Sequence, residues 1–236
     1  MPDTVMRRAA ALRIILLIVP CFLLADCLPA GFQANPVMRT LGWFLYVGGR
    51  DIREACANNG NNQIRLIYNA IYAEQVRTYD LVVNPDNNSA ELTSRVIVPS
   101  SRVQIDWDAP LAPWNGVVKR TSIDRTDVGR LTDALKRSGY FETAPVGLRL
   151  RSDNFYWVVS GCEDGKFHLN AFQAPTKRFE RIEFPPVLFG LDMTDVPVNP
   201  VRQLTFGASD PTLSSDRSGA TGTGFILQVA EGENLL

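Results

Sequence analysis

Asn84-Pro85-Asp86-Asn87-Asn88-Ser89 is built of turn formers throughout, and it separates two runs rich in β-branched and apolar residues, 76–83 (VRTYDLVV) and 91–98 (ELTSRVIV). Proline presets φ, and Asn, Asp and Ser bond their own backbone, so the chain reverses here and its flanks pair antiparallel. A second reversal is centred on Glu163-Asp164-Gly165, between 155–161 and 166–172. It reads as a three-residue loop with Gly in the left-handed position. That pairing puts Trp157 and Val159 on the face of Leu169 and Ala171, and leaves His168 and Asn170 opposite. Two hairpins of this kind predict an antiparallel sheet.

The clearest helix spans 126–138. Thr126 caps it, Asp127 lies in its first turn, and Val128, Leu131, Ala134 and Leu135 form one apolar stripe. Lys136 and Arg137 close the last turn and Gly139 ends it. A single apolar stripe needs a sheet to cover it. The fold class is therefore α+β, an antiparallel sheet of five or more strands packed on one main helix, 126–138. Around this frame, 63–69 reads as a strand, although its Ile and Tyr residues also fit a helical stripe. Residues 42–47 (GWFLYV) read as a first strand or part of a tether, 51–57 as a short helix, 181–184 as a strand and 186–193 as a turn of helix. Residues 99–116 hold three prolines with Trp107 and Trp114, which makes a loop with aromatic anchors. Residues 207–223 are rich in Ser, Gly, Thr and Asp and read as a linker, after which 224–229 form an edge strand or a tail.

Charge narrows the function classes. Lys and Arg number 24 against 25 Asp and Glu, a formal charge of −1 with no basic patch, so nothing here favours a nucleic-acid partner.

The N-terminus carries an address. Arg7, Arg8 and Arg13 precede twelve uncharged residues, 14–25 (IILLIVPCFLLA). A basic region before a short apolar core is the layout of an export signal. As a helix those residues reach roughly 18 Å, short of the about 30 Å hydrocarbon core, and Pro20 weakens the helix further. Leu24-Ala25-Asp26-Cys27 then resembles the lipobox of bacterial lipoproteins, with Leu at −3 and the acceptor Cys in place. Asp26 stands where that family carries Gly, Ala or Ser. The resemblance implies diacylation of Cys27 as the mature N-terminus, and Leu28 after it implies delivery to the outer membrane. Lipid chains bury methylenes at about 0.8 kcal/mol each, so more than one holds a protein on a bilayer stably. The segment leaves two other outcomes open: a soluble periplasmic product cut near Ala30 or Ala34, and an uncleaved inner-membrane anchor.

Cys21 lies in the signal core and Cys27 is the lipidation candidate, which leaves Cys56 and Cys162 in the body. Export delivers these to an oxidising compartment, where one disulfide between them is the natural pairing. Two free thiols too far apart to bridge is the alternative. With one His and no CxxC pair, a structural zinc site lacks ligands, and no metal or cofactor is expected.

Catalytic signals are sparse. His168, the one imidazole, occupies a polar position of an alternating strand, where an ordinary half-exposed residue explains it better than a general base does. In the three-residue-loop register Cys162 faces Lys166 and lies only diagonally from His168, against a Cys–His dyad. Ser160-Gly161 lacks the surrounding G-x-S-x-G, and 219–224 (GATGTG) lacks the Gly-Lys-Ser/Thr of a phosphate loop. Asp106 and Asp108 flank Trp107 at strand spacing and suit a cation or a sugar, and Trp107 and Trp114 with Tyr140 and Phe141 suit a ligand groove; an exposed acidic loop and core lids are the commoner explanations of these patterns.

The expected layout is a signal peptide at 1–26, a tether at 27–41, a globular α+β domain at 42–206 and a flexible tail at 207–236. The expected role is non-catalytic: a membrane-anchored envelope lipoprotein that binds or scaffolds an envelope component. An envelope hydrolase using His168 or the Asp106/Asp108 loop, and a small-ligand carrier, are the alternatives.

Overall fold

The computed structural model describes residues 36–58, 62–86, 89–98, 116–204 and 224–236, with side chains from Gly42 onward. The chain divides into two units between Gly42 and Trp43, within the first described helix, and the second unit, Trp43–Leu236, carries every described strand.

Helix α1 (Pro36–Val47) and helix α2 (Arg50–Ala57) precede strands β1 (Gln63–Ala70), β2 (Gln75–Val83), β3 (Ala90–Ile97) and β4 (Val117–Ile123). Helix α3 (Arg125–Arg137) and the short β5 (Arg149–Arg151) lead to the hairpin β6 (Phe155–Glu163) and β7 (Lys166–Gln173). Then come α4 (Lys177–Glu180), α5 (Phe184–Leu191), β8 (Ile226–Ala230) and β9 (Asn234–Leu235). Strands β1 to β4 form a meander, and β6–β7 joins it alongside β1, so the six-stranded sheet runs β4-β3-β2-β1-β6-β7. Every pairing in it is antiparallel. A second, three-stranded sheet runs β5-β8-β9.

Each face of the large sheet carries a core, with the β4 wing left exposed. On the first, Leu66, Tyr68, Tyr79, Leu81, Leu92, Trp157, Val159 and Phe172 pack under Val128, Leu131, Ala134 and Leu135 of α3 and under Phe184, Leu188 and Leu191 of α5. One main helix therefore does not suffice for this face. The apolar stripe of α3 is as the sequence predicts, but its cap is Asp124, whose side chain accepts from the Asp127 N–H, and not Thr126. On the second face Ile67, Val76, Tyr156, Val158 and Ala171 pack with Val47 of α1 and with Leu150, Leu227 and Val229 of the small sheet.

Two expectations are overturned here and a third is narrowed. Residues 42–47 belong to helix α1, not to a strand or a tether, because Val47 and the half-buried Phe44 pack an apolar helix side onto the second core. Residues 181–184 join α4 to α5 and make no strand. Of the two readings of 224–229, the strand holds rather than the tail, but β8 lies between β5 and β9 with Leu227 and Val229 buried and is not an edge.

The β6–β7 register also differs from expectation. Asp164 and Gly165 alone form the turn, with φ of 50° and 74°. Two successive positive φ values define a two-residue turn whose twist matches that of the strands. Glu163 therefore pairs with Lys166, Cys162 with Phe167 and Gly161 with His168. One residue of slip moves a whole strand to the other face. Trp157 and Val159 accordingly share their face with Phe172, Asn170 and His168.

Candidate functional site

Of the residues singled out in the sequence, two are joined. Cys56, on the last turn of α2, and Cys162, on β6, form a disulfide across a Cα separation of 5.5 Å. Both are buried, with Ile52 and the half-buried Phe167 packed around them. Strand alternation points Cys162 to the face opposite His168, so the bridge fastens α2 to the sheet and takes no part in a Cys–His pair.

His168 stands on β7, its side chain 13% exposed. Its ring meets Tyr140 and Phe141 edge-on, at 6.2 and 5.4 Å between centroids. Nδ1 lies 3.5 Å from a carboxylate oxygen of Glu233, in the turn between β8 and β9. Glu233 is thus the carboxylate partner of the imidazole on its Nδ1 side. Cys27, Asp106, Trp107, Asp108 and Trp114 lie outside the described residues. Among the described residues no cluster of three or more His, Cys, Asp or Glu is placed to hold a metal ion.

Sequence reasoning missed the groups that dominate the interior: two arginines buried on adjacent strands. Arg65 of β1 faces the second core and Arg77 of β2 the first, and β1 is buried along nearly its whole length. With both faces covered, a strand loses the alternation that would mark an inward polar residue as unusual.

Arg65 makes four hydrogen bonds to local partners. Nε donates to Asp80 at 2.6 Å, Nη1 to Asp51 at 2.8 Å and to the Tyr46 carbonyl at 3.0 Å, and Nη2 to the other Asp51 oxygen at 2.8 Å. The Tyr46 ring lies 3.6 Å from the guanidinium carbon, and its hydroxyl donates to Asp80 at 2.6 Å. Burial pushes the Tyr46 phenol well above its ordinary range, and the Asp80 charge beside it pushes the same way. At Asp51 burial acts upward, but the Arg65 hydrogen bond and charge outweigh it and hold the carboxyl below the ordinary range. Four elements, α1, α2, β1 and β2, thus meet at one cation.

Arg77 does the same for the segment after α5. Nη1 donates to Asp192 at 2.6 Å, Nε to the Gln75 side chain at 2.9 Å and Nη2 to the Val196 carbonyl at 2.5 Å. Tyr79 donates to Asp192 at 2.7 Å, Gln75 to the Pro197 carbonyl at 3.0 Å and Tyr68 to the Asn199 carbonyl at 3.0 Å. The extended residues 192–200 are held on the sheet by side chains that bond their backbone. These hydrogen bonds and ion pairs offset the cost of burying the two charges.

The far wing of the second face is open. Across β2, β3 and β4 the ladder brings Val82, Glu91 and Ser122 together, and Arg120 and Val118 follow on β4. All five are exposed. A shallow depression lies at the hairpin end, lined by residues that include Val83, Pro85, Ser89 and Ala90.

These features define an α+β domain with a six-stranded antiparallel sheet, carrying a core on each face and fastened by one disulfide and two buried arginines. The chain matches no known protein family, no curated protein and no solved structure.

Proposed function

We propose that this protein is a non-catalytic envelope lipoprotein, anchored by lipid on Cys27 and presenting its sheet domain to another envelope component. The observation that carries the reading is the disulfide between Cys56 and Cys162 in a chain that opens with a basic and apolar export layout. Disulfides persist in compartments reached by export, which supports reading the N-terminal pattern as an export signal. Two further features favour presentation over turnover: polar side chains bonded to one another in the interior, and the exposed Val82, Val118, Glu91, Arg120 and Ser122 surface as a docking face. Exposed apolar residues rimmed by charge are what a partner surface requires.

Intact mass of the protein taken from membranes of a bacterial host, with and without reducing agent, tests this. Cleavage before Cys27 with added lipid, and a gain of two protons on reduction, is the expected result. A mass that retains residues 1–26 without lipid removes the lipoprotein reading and leaves an inner-membrane anchor. Crosslinking from Val118 to an envelope protein then tests the docking face, and a purified domain that turns over a hydrolase panel in a His168-dependent manner overturns the non-catalytic role.

A further inference from the structure

The large sheet ends in β7 on one side and in β4 on the other, and the two edges differ. The β7 edge is closed. The carbonyl of Ala171 accepts from Arg178 Nη1 at 2.8 Å, and its N–H donates to Asn170 Oδ1 at 2.8 Å, an oxygen that also accepts from Arg178 Nη2 at 2.8 Å. Further along the strand, Arg53 lies over the Phe167 ring at 4.0 Å and donates to the carbonyls of Gly232 and Glu233, while the Glu233 carboxylate meets His168. Phe167 and His168 point to opposite faces of β7, so the β8–β9 turn lies across its edge.

The β4 edge is open. Successive residues of an antiparallel strand bond to alternate sides. The bond from the Asn84 N–H to the Ser89 carbonyl therefore turns the odd-numbered residues of β3 toward β2 and the even-numbered ones toward β4. Their partners on β4 are Val117, Lys119, Thr121 and Ile123, which leaves the N–H and C=O groups of Val118, Arg120 and Ser122 directed outward. No hydrogen bond among the described residues reaches these outward groups. Val117 and Val118 are 41% and 37% exposed, Lys119 and Arg120 are exposed too, and the strand carries no carboxylate. Glu91 lies 3.9 Å from Arg120 with both side chains in solvent, a contact worth little, and Lys119 has no ion-pair partner among the described residues.

We propose that β4 accepts an extended acidic segment of a partner protein, which joins the sheet as a further antiparallel strand. In this mode of recognition unpaired main-chain groups supply the affinity, and side chains on alternate faces supply the selectivity. Adjacent residues of the guest lie opposite Arg120 and Lys119, one on each face, so both are acidic; the next two, opposite Val118 and Val117, are apolar. A second copy of the chain does not meet this requirement. Two-fold pairing centred on Arg120 or on Lys119 sets like charges opposite each other, and pairing centred on Thr121 needs the Asp124 carbonyl, which already accepts from the Val128 N–H. The proposal rests on the docking reading of the β2–β4 wing and names the partner's chemistry; it needs no lipid on Cys27.

The test is fluorescence anisotropy of a labelled peptide, Thr-Thr-Asp-Glu-Val-Val capped at both ends, titrated with the full chain in nonionic detergent. Saturable binding is the expected result. Reversing the edge charges, Lys119→Glu with Arg120→Glu, is expected to weaken it roughly tenfold or more, and to confer binding on the same peptide with Lys-Lys at its centre. Methylating the peptide nitrogens of Asp and the first Val, which face β4, is expected to abolish binding, whereas methylating those of Glu and the last Val leaves it nearly unchanged. Ser122→Pro removes an outward N–H that makes no bond in the sheet, so it blocks the guest strand and keeps the fold, which a thermal melt checks. Absence of saturable binding up to about 1 mM overturns the proposal. Binding indifferent to methylation at the Asp and Val nitrogens overturns it equally. A crosslink from Val118 to an envelope protein that forms as well in Ser122→Pro overturns the strand pairing while the docking face stands. A doubled mass by light scattering that Ser122→Pro abolishes also overturns it, and makes the edge a contact between two copies.

Discussion

Arg77 and Asp192, 115 residues apart in sequence, form an ion pair of 2.6 Å with side chains only 1% and 4% exposed. Burial of this depth makes the pair conditional: together the charges are tolerated, and either one alone is not. Asp192→Ala leaves a guanidinium in the core and is expected to destabilise the domain by about 3–5 kcal/mol. A urea titration of the oxidised protein measures this. Replacing both partners, Arg77→Met with Asp192→Leu, is expected to recover much of the loss, which a double-mutant cycle reads directly.

The same pair gives acid sensitivity. Burial by itself pushes the Asp192 carboxyl up, but hydrogen bonds from Thr194 and Tyr79 and the Arg77 charge outweigh it, so the folded group titrates below its ordinary range. A carboxylate depressed on folding contributes stability that is complete above its unfolded value near pH 4 and is lost as pH falls through the folded value. Wild-type stability is therefore expected to drop below about pH 4, with a smaller drop in Asp192→Asn, followed by thermal melts across that window.

At the other arginine the two carboxylates are unequal. Asp80 is 23% exposed and also accepts from Tyr46, whereas the Asp51 side chain is 58% exposed. Water screens the second and not the first. Asp80→Ala is expected to cost about 2–3 kcal/mol and Asp51→Ala within about 1 kcal/mol, compared in the same denaturant series.

The Cys56–Cys162 bridge closes a separation of 106 residues. The chain-entropy account assigns such a closure on the order of 4–5 kcal/mol as an upper figure, acting through the unfolded chain. Cys56→Ala with Cys162→Ala is expected to lower the melting temperature substantially and to abolish the effect of reducing agent on it.

Gly161 marks a close approach. A Cβ there meets the Tyr140 hydroxyl at 2.8 Å and the Gln63 carbonyl at 2.9 Å. Gly161→Ala is expected to destabilise by about 1–3 kcal/mol, since backbone and a buried ring must shift. Tyr140→Phe in that background should recover only part of the loss, because the Gln63 carbonyl remains, and thermal melts of the two variants distinguish this.

Legibility in the sequence followed the range of the physics. The turn formers at 84–89 announced the β2–β3 hairpin, and the apolar stripe with its basic last turn announced α3, because both signals lie within a few residues of the structure they specify. The second hairpin was legible as a reversal but not in register. Whether Glu163 belongs to the turn depends on φ at Asp164, and Asp tolerates the left-handed region without advertising it. Helix α1 was misread because an aromatic and apolar run suits either a strand or a helix packed on a core. The pairing of Cys56 with Cys162 was available as chemistry, while its geometry was not.

By itself, then, the sequence determined the antiparallel character of the sheet and the position of its principal helix, from local turn chemistry, periodicity and composition. Only the tertiary structure decided that each sheet face carries a core, that residues 224–236 return to fill the second core, and that Arg65 and Arg77 are buried. Those outcomes depend on partners far apart in the chain, such as Gln75 with Pro197 and Arg77 with Asp192. A buried charge is stable only when folding brings its distant partner within hydrogen-bonding distance.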